Sequence, residues 1–198
     1  MKKILLLLMM IQSLGSGQSL YSGRGRSATL LGVSYATAEG ATVEAMTIGH
    51  SFKGIVDLAL VGGLGQSKNG YSDILFWGPA FSLYVVNADS TGGGIVSVDL
   101  AYSSVSTTGF GSATVSTVSA GGTLGAKVLI SDVFSFIPLL SGGVSSSSGG
   151  RQFTVFGFGS SLAFRLGKRT QFILTPSASI SNSITTLGLD AGFVLMNK

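Results

Sequence analysis

No cysteine occurs anywhere in this chain of 198 residues. A disulfide scaffold, a thiolate metal site and a lipid-modified cysteine are therefore all excluded, while an oxidising compartment stays compatible with the composition. Charge is scarce as well: Asp, Glu, Lys and Arg make up 10 % of the residues, against about 25 % in ordinary soluble domains. So few charges do not make a normal water-facing surface. Long apolar runs are missing too. The longest, Ile4 to Ile11, is far short of the roughly 20 residues that a membrane-spanning helix needs, so spanning helices are excluded beyond the N-terminus.

Chemistry-bearing residues are equally thin. His50 is the only histidine, and no His, Asp or Glu group has metal-ligand spacing. It stands two residues before the tight turn expected at Phe52 to Gly54, at the end of the pattern opposite to the longer loops where substrate chemistry would sit. An interfacial histidine is the simpler account, and no enzymatic activity is expected. The glycine groups at Gly62, Gly63 and Gly65 and at Gly92 to Gly94 lack the lysine and the strand-to-helix context of a phosphate loop. No cofactor is implied. The formal charge of +4 falls to +2 if Lys2 and Lys3 leave with a leader, and no basic cluster exceeds Lys168 and Arg169, so no nucleic-acid partner is indicated.

What is present is small residues, 30 of them glycine, and a strict alternation. From Phe153 to Lys198 three segments of about ten residues put apolar and small or polar side chains on opposite faces. Phe172, Leu174, Pro176, Ala178 and Ile180 oppose Thr175, Ser177, Ser179 and Ser181. Leu187, Leu189, Ala191, Phe193 and Leu195 oppose Thr186, Gly188, Asp190 and Gly192. Phe156, Phe158, Leu162, Phe164 and Leu166 oppose Gly157, Gly159, Ser161, Ala163 and Arg165. One face suits hydrocarbon and the other tolerates water.

The same unit recurs upstream. Residues 1–17 have the basic start, apolar run and small residues of a secretory signal peptide, and 18–26 read as a flexible periplasmic lead. Strands are expected from 28 to 37, with Leu31, Val33 and Tyr35 outward, and from 42 to 52. In the latter either Met46 and Ile48 or Val43 and Ala45 face lipid, and a bulge could serve both. Five more follow, carrying Val56 to Leu60, Leu75 to Val85, Val96 to Tyr102, Val118 to Ile130 and Phe134 to Leu140. With the last three they make ten. Loops of turn formers are expected at 66–73, 107–112 and 145–150 and tight turns after the second, sixth and eighth strands. The link 87–94 is long where a short turn belongs, and the one after the first strand is short where a long loop belongs. Pro79, Pro138 and Pro176 fall inside strands, where each removes a ladder donor; local bulges or a partly open sheet are expected there. Trp77, Tyr35, Tyr102, Phe134 and Phe153 are expected as interfacial anchors.

The leader, the repeated ten-residue hairpins and a final strand ending in Gly192, Phe193, Val194 and Leu195 together resemble the small outer-membrane β-barrel proteins of Gram-negative bacteria, the OmpA-like and OmpX-like group. The resemblance implies an all-β fold, a closed antiparallel up-and-down transmembrane barrel spanning 27–198, located in the outer membrane. It also implies two partners, the lipid bilayer and the outer-membrane assembly machinery. Such proteins usually close on an aromatic residue that this machinery reads; here Phe193 or Leu195 would take that part.

Five charged residues fall on the small face: Asp57, Asp99, Lys127, Arg165 and Asp190. An unpaired charge in a low-dielectric lumen costs several kcal/mol, so pairing is expected, with Asp99 and Lys127 on neighbouring strands. A structural lumen filled by ion pairs is the first reading. A constriction in a narrow passive pore for ions or small solutes is the second, and a secreted soluble β-sandwich the third.

Overall fold

A computed structural model describes residues 21–38, 40–67, 73–88, 92–108, 113–181 and 184–197. The signal peptide expected at 1–17 lies outside the described residues. Ten strands follow one another: β1 (Ala28–Ala38), β2 (Ala41–Phe52), β3 (Val56–Ser67), β4 (Asp73–Val86), β5 (Gly93–Thr108), β6 (Ala113–Ser131), β7 (Phe134–Ser147), β8 (Gln152–Arg165), β9 (Thr170–Ser181) and β10 (Ile184–Met196). Each pairs antiparallel with its chain neighbours, and β1 pairs with β10 from Ala28↔Met196 to Thr37↔Leu187, which closes the barrel. A closed sheet has no free edge, so neither an open sheet nor a two-layer sandwich describes this chain.

The alternation decides which side chains face out. Leu31, Val33, Met46, Ile48, Leu60, Leu75, Trp77, Phe156, Phe158, Leu187 and Phe193 are all exposed on the outer wall, an apolar surface that only hydrocarbon can solvate well. In β2 the ambiguity resolves without a bulge. Its ladders with β1 and β3 are regular, Met46 is 72 % exposed, and Val43 and Ala45 point inward.

Inside, the barrel is not uniformly small and polar. One apolar layer, with Val43, Val61, Ile74, Phe76, Val105, Phe153 and Ile184, fills the end away from the start of β1. A second, with Tyr21, Leu30, Tyr84, Ile95, Ile137, Ile173 and Val194, fills the end that carries the start of β1 and the end of β10. We call these the far rim and the terminal rim. Phe153 thus lies in the interior and not in an interfacial girdle, because the parity of β8 turns it inward. Residues 21–26 are likewise no free lead. Tyr21 and Ser22 are buried in the terminal mouth, the Gly25 amide donates to the Lys53 carbonyl at 2.8 Å, and the Asn87 side chain donates to the Gly54 carbonyl at 2.7 Å.

The strands also run further than their hydrophobic patterns. β5, β6 and β7 continue through serine, threonine and glycine to Thr108, from Ala113 and to Ser147, because neighbouring strands supply ladder partners that weak intrinsic propensity does not oppose. The connections at the far rim shrink to 39–40, 68–72, 109–112, 148–151 and 182–183, against 53–55, 87–92, 132–133 and 166–169 at the terminal rim. Loop length therefore does not separate the two ends as expected.

The three prolines cause no register shift. Each faces outward and interrupts pairing on one side only, between Trp77↔Ser104 and Ala80↔Ala101, between Gly125↔Leu139 and Val128↔Phe136, and between Gly159↔Ser177 and Leu162↔Leu174. An antiparallel residue exchanges bonds with a single neighbour, so a missing N–H costs one bond and leaves the other ladder intact. Glycine accompanies each gap: a Cβ on Gly125 would come 2.7 Å from the Pro138 carbonyl oxygen and one on Gly159 3.1 Å from that of Pro176. At Gly78, beside Pro79, it would land on the Tyr102 carbonyl. The register shifts lie instead near the terminal rim, between Tyr84 and Val86 and between Leu129 and Ser131.

Gly78→Ala is therefore expected to destabilise the folded barrel by about 2 kcal/mol through overpacking against the β5 backbone. Gly94→Ala, where an added Cβ meets nothing within 4 Å, is the control. The urea midpoint of the heat-modifiable form measures both.

Candidate functional site

Between the two apolar layers lies a chamber of about 120 Å³, whose wall mixes hydroxyls and carboxylates with apolar side chains such as Leu30, Leu139 and Ile173; it is large enough for several waters. Ser34, Thr47, Ser82, Asp99, Ser119, Thr123, Ser141, Thr175, Ser177 and Asp190 line it, glycines at 32, 121, 143, 157 and 159 keep it open, and Tyr21 floors it. None of its lining residues is Lys, Arg or His.

Its position follows from pleat parity and register. Asp57, Ser82 and Asp99 sit opposite one another across β3, β4 and β5, all inward. On the other wall Ser34 faces Asp190, which faces Thr175. The carboxylates are met by hydroxyls from the same rows. Asp99 accepts from Ser97 at 3.1 and 3.2 Å and from Thr123 at 2.9 Å, and Ser34 hydrogen-bonds Asp190. Asp57 is 1 % exposed and lies within electrostatic reach of Tyr21 and Tyr84. Hydrogen bonds to a charged acceptor contribute about 1.5–3 kcal/mol each, so a hydroxyl shell offsets part of the cost of burying a carboxylate. The Thr47 hydroxyl, also buried, has no protein partner.

The five charged positions singled out in the sequence thus divide. Asp57, Asp99 and Asp190 are interior. Lys127 and Arg165 lie below Tyr21, in a small pocket at the terminal mouth that they share with Arg26, Asp132 and Gln171. Asp99 and Lys127 do not stand at one depth: Asp99 is opposite Gly121, whereas Lys127 is opposite Gly93, six residues further along β6. Equal distances from turns mislead because neighbouring strands of a barrel are staggered.

Tyr21 is the residue that the pattern did not reveal. It is 4 % exposed, and its hydroxyl is 2.5 Å from Ser161 Oγ, which is 2.6 Å from Thr175 Oγ1. The aromatic ring among Gly and Ser just ahead of the first strand was the available signal. His50 lies on the outer wall, its Nδ1 3.2 Å from Thr29 Oγ1 and its ring edge-on to Phe52 at 4.6 Å.

Solved structures share this architecture. The β domain of the Bordetella autotransporter BrkA matches with a TM-score of 0.57 and 11 % identity, over 87 % of this chain and 99 % of that one. An outer-membrane channel from Pseudomonas putida F1 matches with a TM-score of 0.51 and 11 % identity, over 92 % and 99 %. The fold is that of an outer-membrane β-barrel. At such identity the likeness concerns the fold alone. No protein-family model matches the chain, and no curated protein does.

Thr123→Val leaves Asp99 one donor short and is expected to cost about 1–3 kcal/mol. Thr114→Val, at an exposed position paired with Ser106, should cost under about 0.5 kcal/mol. Equilibrium unfolding of the two variants from detergent micelles provides the comparison.

Proposed function

We propose that this is a non-enzymatic outer-membrane barrel with a sealed lumen, a structural wall element and not an open pore. One observation carries the reading: the chamber has a cluster of buried apolar side chains on either side, and on the terminal side Tyr21 is hydrogen-bonded to Ser161 across the floor. Apolar constrictions exclude ions by dewetting, so two in series oppose conduction. The expected ion-paired lumen is replaced in this reading by apolar closure with hydroxyl-solvated carboxylates between. In the outer membrane the terminal rim, which holds both ends of the barrel wall, faces the periplasm.

A second reading, a narrow passive channel, draws on the chamber's charge. Aspartates without lining cations favour small cations over anions, and ten strands enclose more space than the eight that side chains fill easily.

Planar-bilayer recordings separate the two readings. The wild type is expected to be silent, while the double variant Tyr21→Ala and Phe76→Ala, which removes one aromatic side chain from each layer, should give steady cation-selective steps. Steady steps from the wild type would sink the sealed reading.

A further inference from the structure

The charges are distributed with a strong bias. Among the described residues, Arg24, Lys53, Lys168 and Arg169 are exposed on the turns of the terminal rim, Arg26 and Arg165 stand exposed at its mouth, and the one exposed acid there is Asp132. Of the described residues, the far rim has Arg151 and, on the outer wall nearby, Glu44. Backbone contacts join the basic segments into one arc. The Gly25 amide donates to Lys53, the Lys53 amide to Ser27 Oγ, the Asn197 amide to Ser27, the Met196 amide to Arg169, and the Arg165 amide to Val133.

Directly above this arc the outer wall carries an aromatic row. Phe134, Phe164, Phe172 and Phe193 follow one another across β7 to β10 in register, with ring centroids 4.9, 6.4 and 5.5 Å apart. Aromatic rings of this kind mark the boundary between hydrocarbon and headgroups. The turn between β8 and β9, with Lys168 four residues past Phe164 and Arg169 three before Phe172, therefore stands at headgroup depth, where long cationic side chains extend into the polar layer.

We propose that the basic arc at the terminal rim binds the phosphate groups of anionic phospholipids in the leaflet that surrounds it. The proposal rests on the membrane setting of the barrel and not on its lumen being sealed. Phospholipid is the occupant because the arc adjoins the lipid-facing aromatic row, so its neighbours in the bilayer are headgroups. One Lys or Arg near an anionic membrane surface shifts the preference about fivefold at low salt, and screening weakens it over a Debye length.

The test uses the full-length barrel reconstituted in phosphatidylcholine vesicles with trace spin-labelled phosphatidylglycerol or phosphatidylcholine, reading the motionally restricted fraction of each label. Wild type is expected to prefer phosphatidylglycerol several-fold at low salt, and the preference should fall toward unity in 1 M salt. The double variant Lys168→Gln and Arg169→Gln should lose most of the preference, and Arg151→Gln should keep it. Should the double variant fail to fold, Lys53→Asn with Arg24→Gln tests the other end of the arc by the same readout. Equal association of both lipids with the wild type overturns the proposal. So does a preference that survives the arc variants, or one that inorganic phosphate abolishes at constant ionic strength. Conductance plays no part in the readout, so a failure here leaves the sealed-lumen reading standing, and the reverse holds.

Discussion

Everything in this barrel depends on the seam between β1 and β10. In hydrocarbon an unpaired backbone N–H or C=O has no water to fall back on and costs several kcal/mol, so a sheet can cross a membrane only if its first and last strands meet. Here the seam runs from Ala28↔Met196 to Thr37↔Leu187 without a break, ten pairs in register. Once it is closed, pleat parity assigns each side chain to lipid or lumen, and the outer wall can be apolar without being sticky.

That parity explains why so much of the architecture was legible. The alternation in β8, β9 and β10 is nearly strict, and exposure follows it from Phe156 to Leu195. The strand count rests on the same period of two, whereas in β2 the pattern left two sets open and the ladders with β1 and β3 decide that Met46 and Ile48 face out. What could not be read was anything set by a neighbour. Whether Ser145 to Ser147 are loop or strand is decided by β6 and β8, which pair with them. A proline is harmless or ruinous according to which ladder it faces and whether a glycine lies beside it. The candidate site was half legible for the same reason. Inward aspartates are visible as breaks in the polar face, but which hydroxyl meets which carboxylate depends on register between strands, and Asp99 with Thr123 was invisible from spacing alone.

The interior departs from the expectation of small residues throughout. Phe76, Ile74, Ile95 and Ile137 are fully buried in the lumen, so the inward face alternates in layers along the barrel axis as well as differing from the outward face. Glycines at 121 and 143 make room: a Cβ on either would meet the opposing strand at under 3.0 Å. Large inward side chains at the two ends and bare backbone in the middle give a narrow-wide-narrow profile from a cylindrical sheet.

Tyr21 has a consequence for how the barrel is closed. Its ring floors the chamber from outside the strand ladder, tied to the wall by Ser161 and flanked by a backbone turn that clasps Lys53. Removing this one side chain would take the bottom stopper out of the barrel while leaving every ladder pair in place, so the lumen is finished by a residue that the sheet itself does not hold.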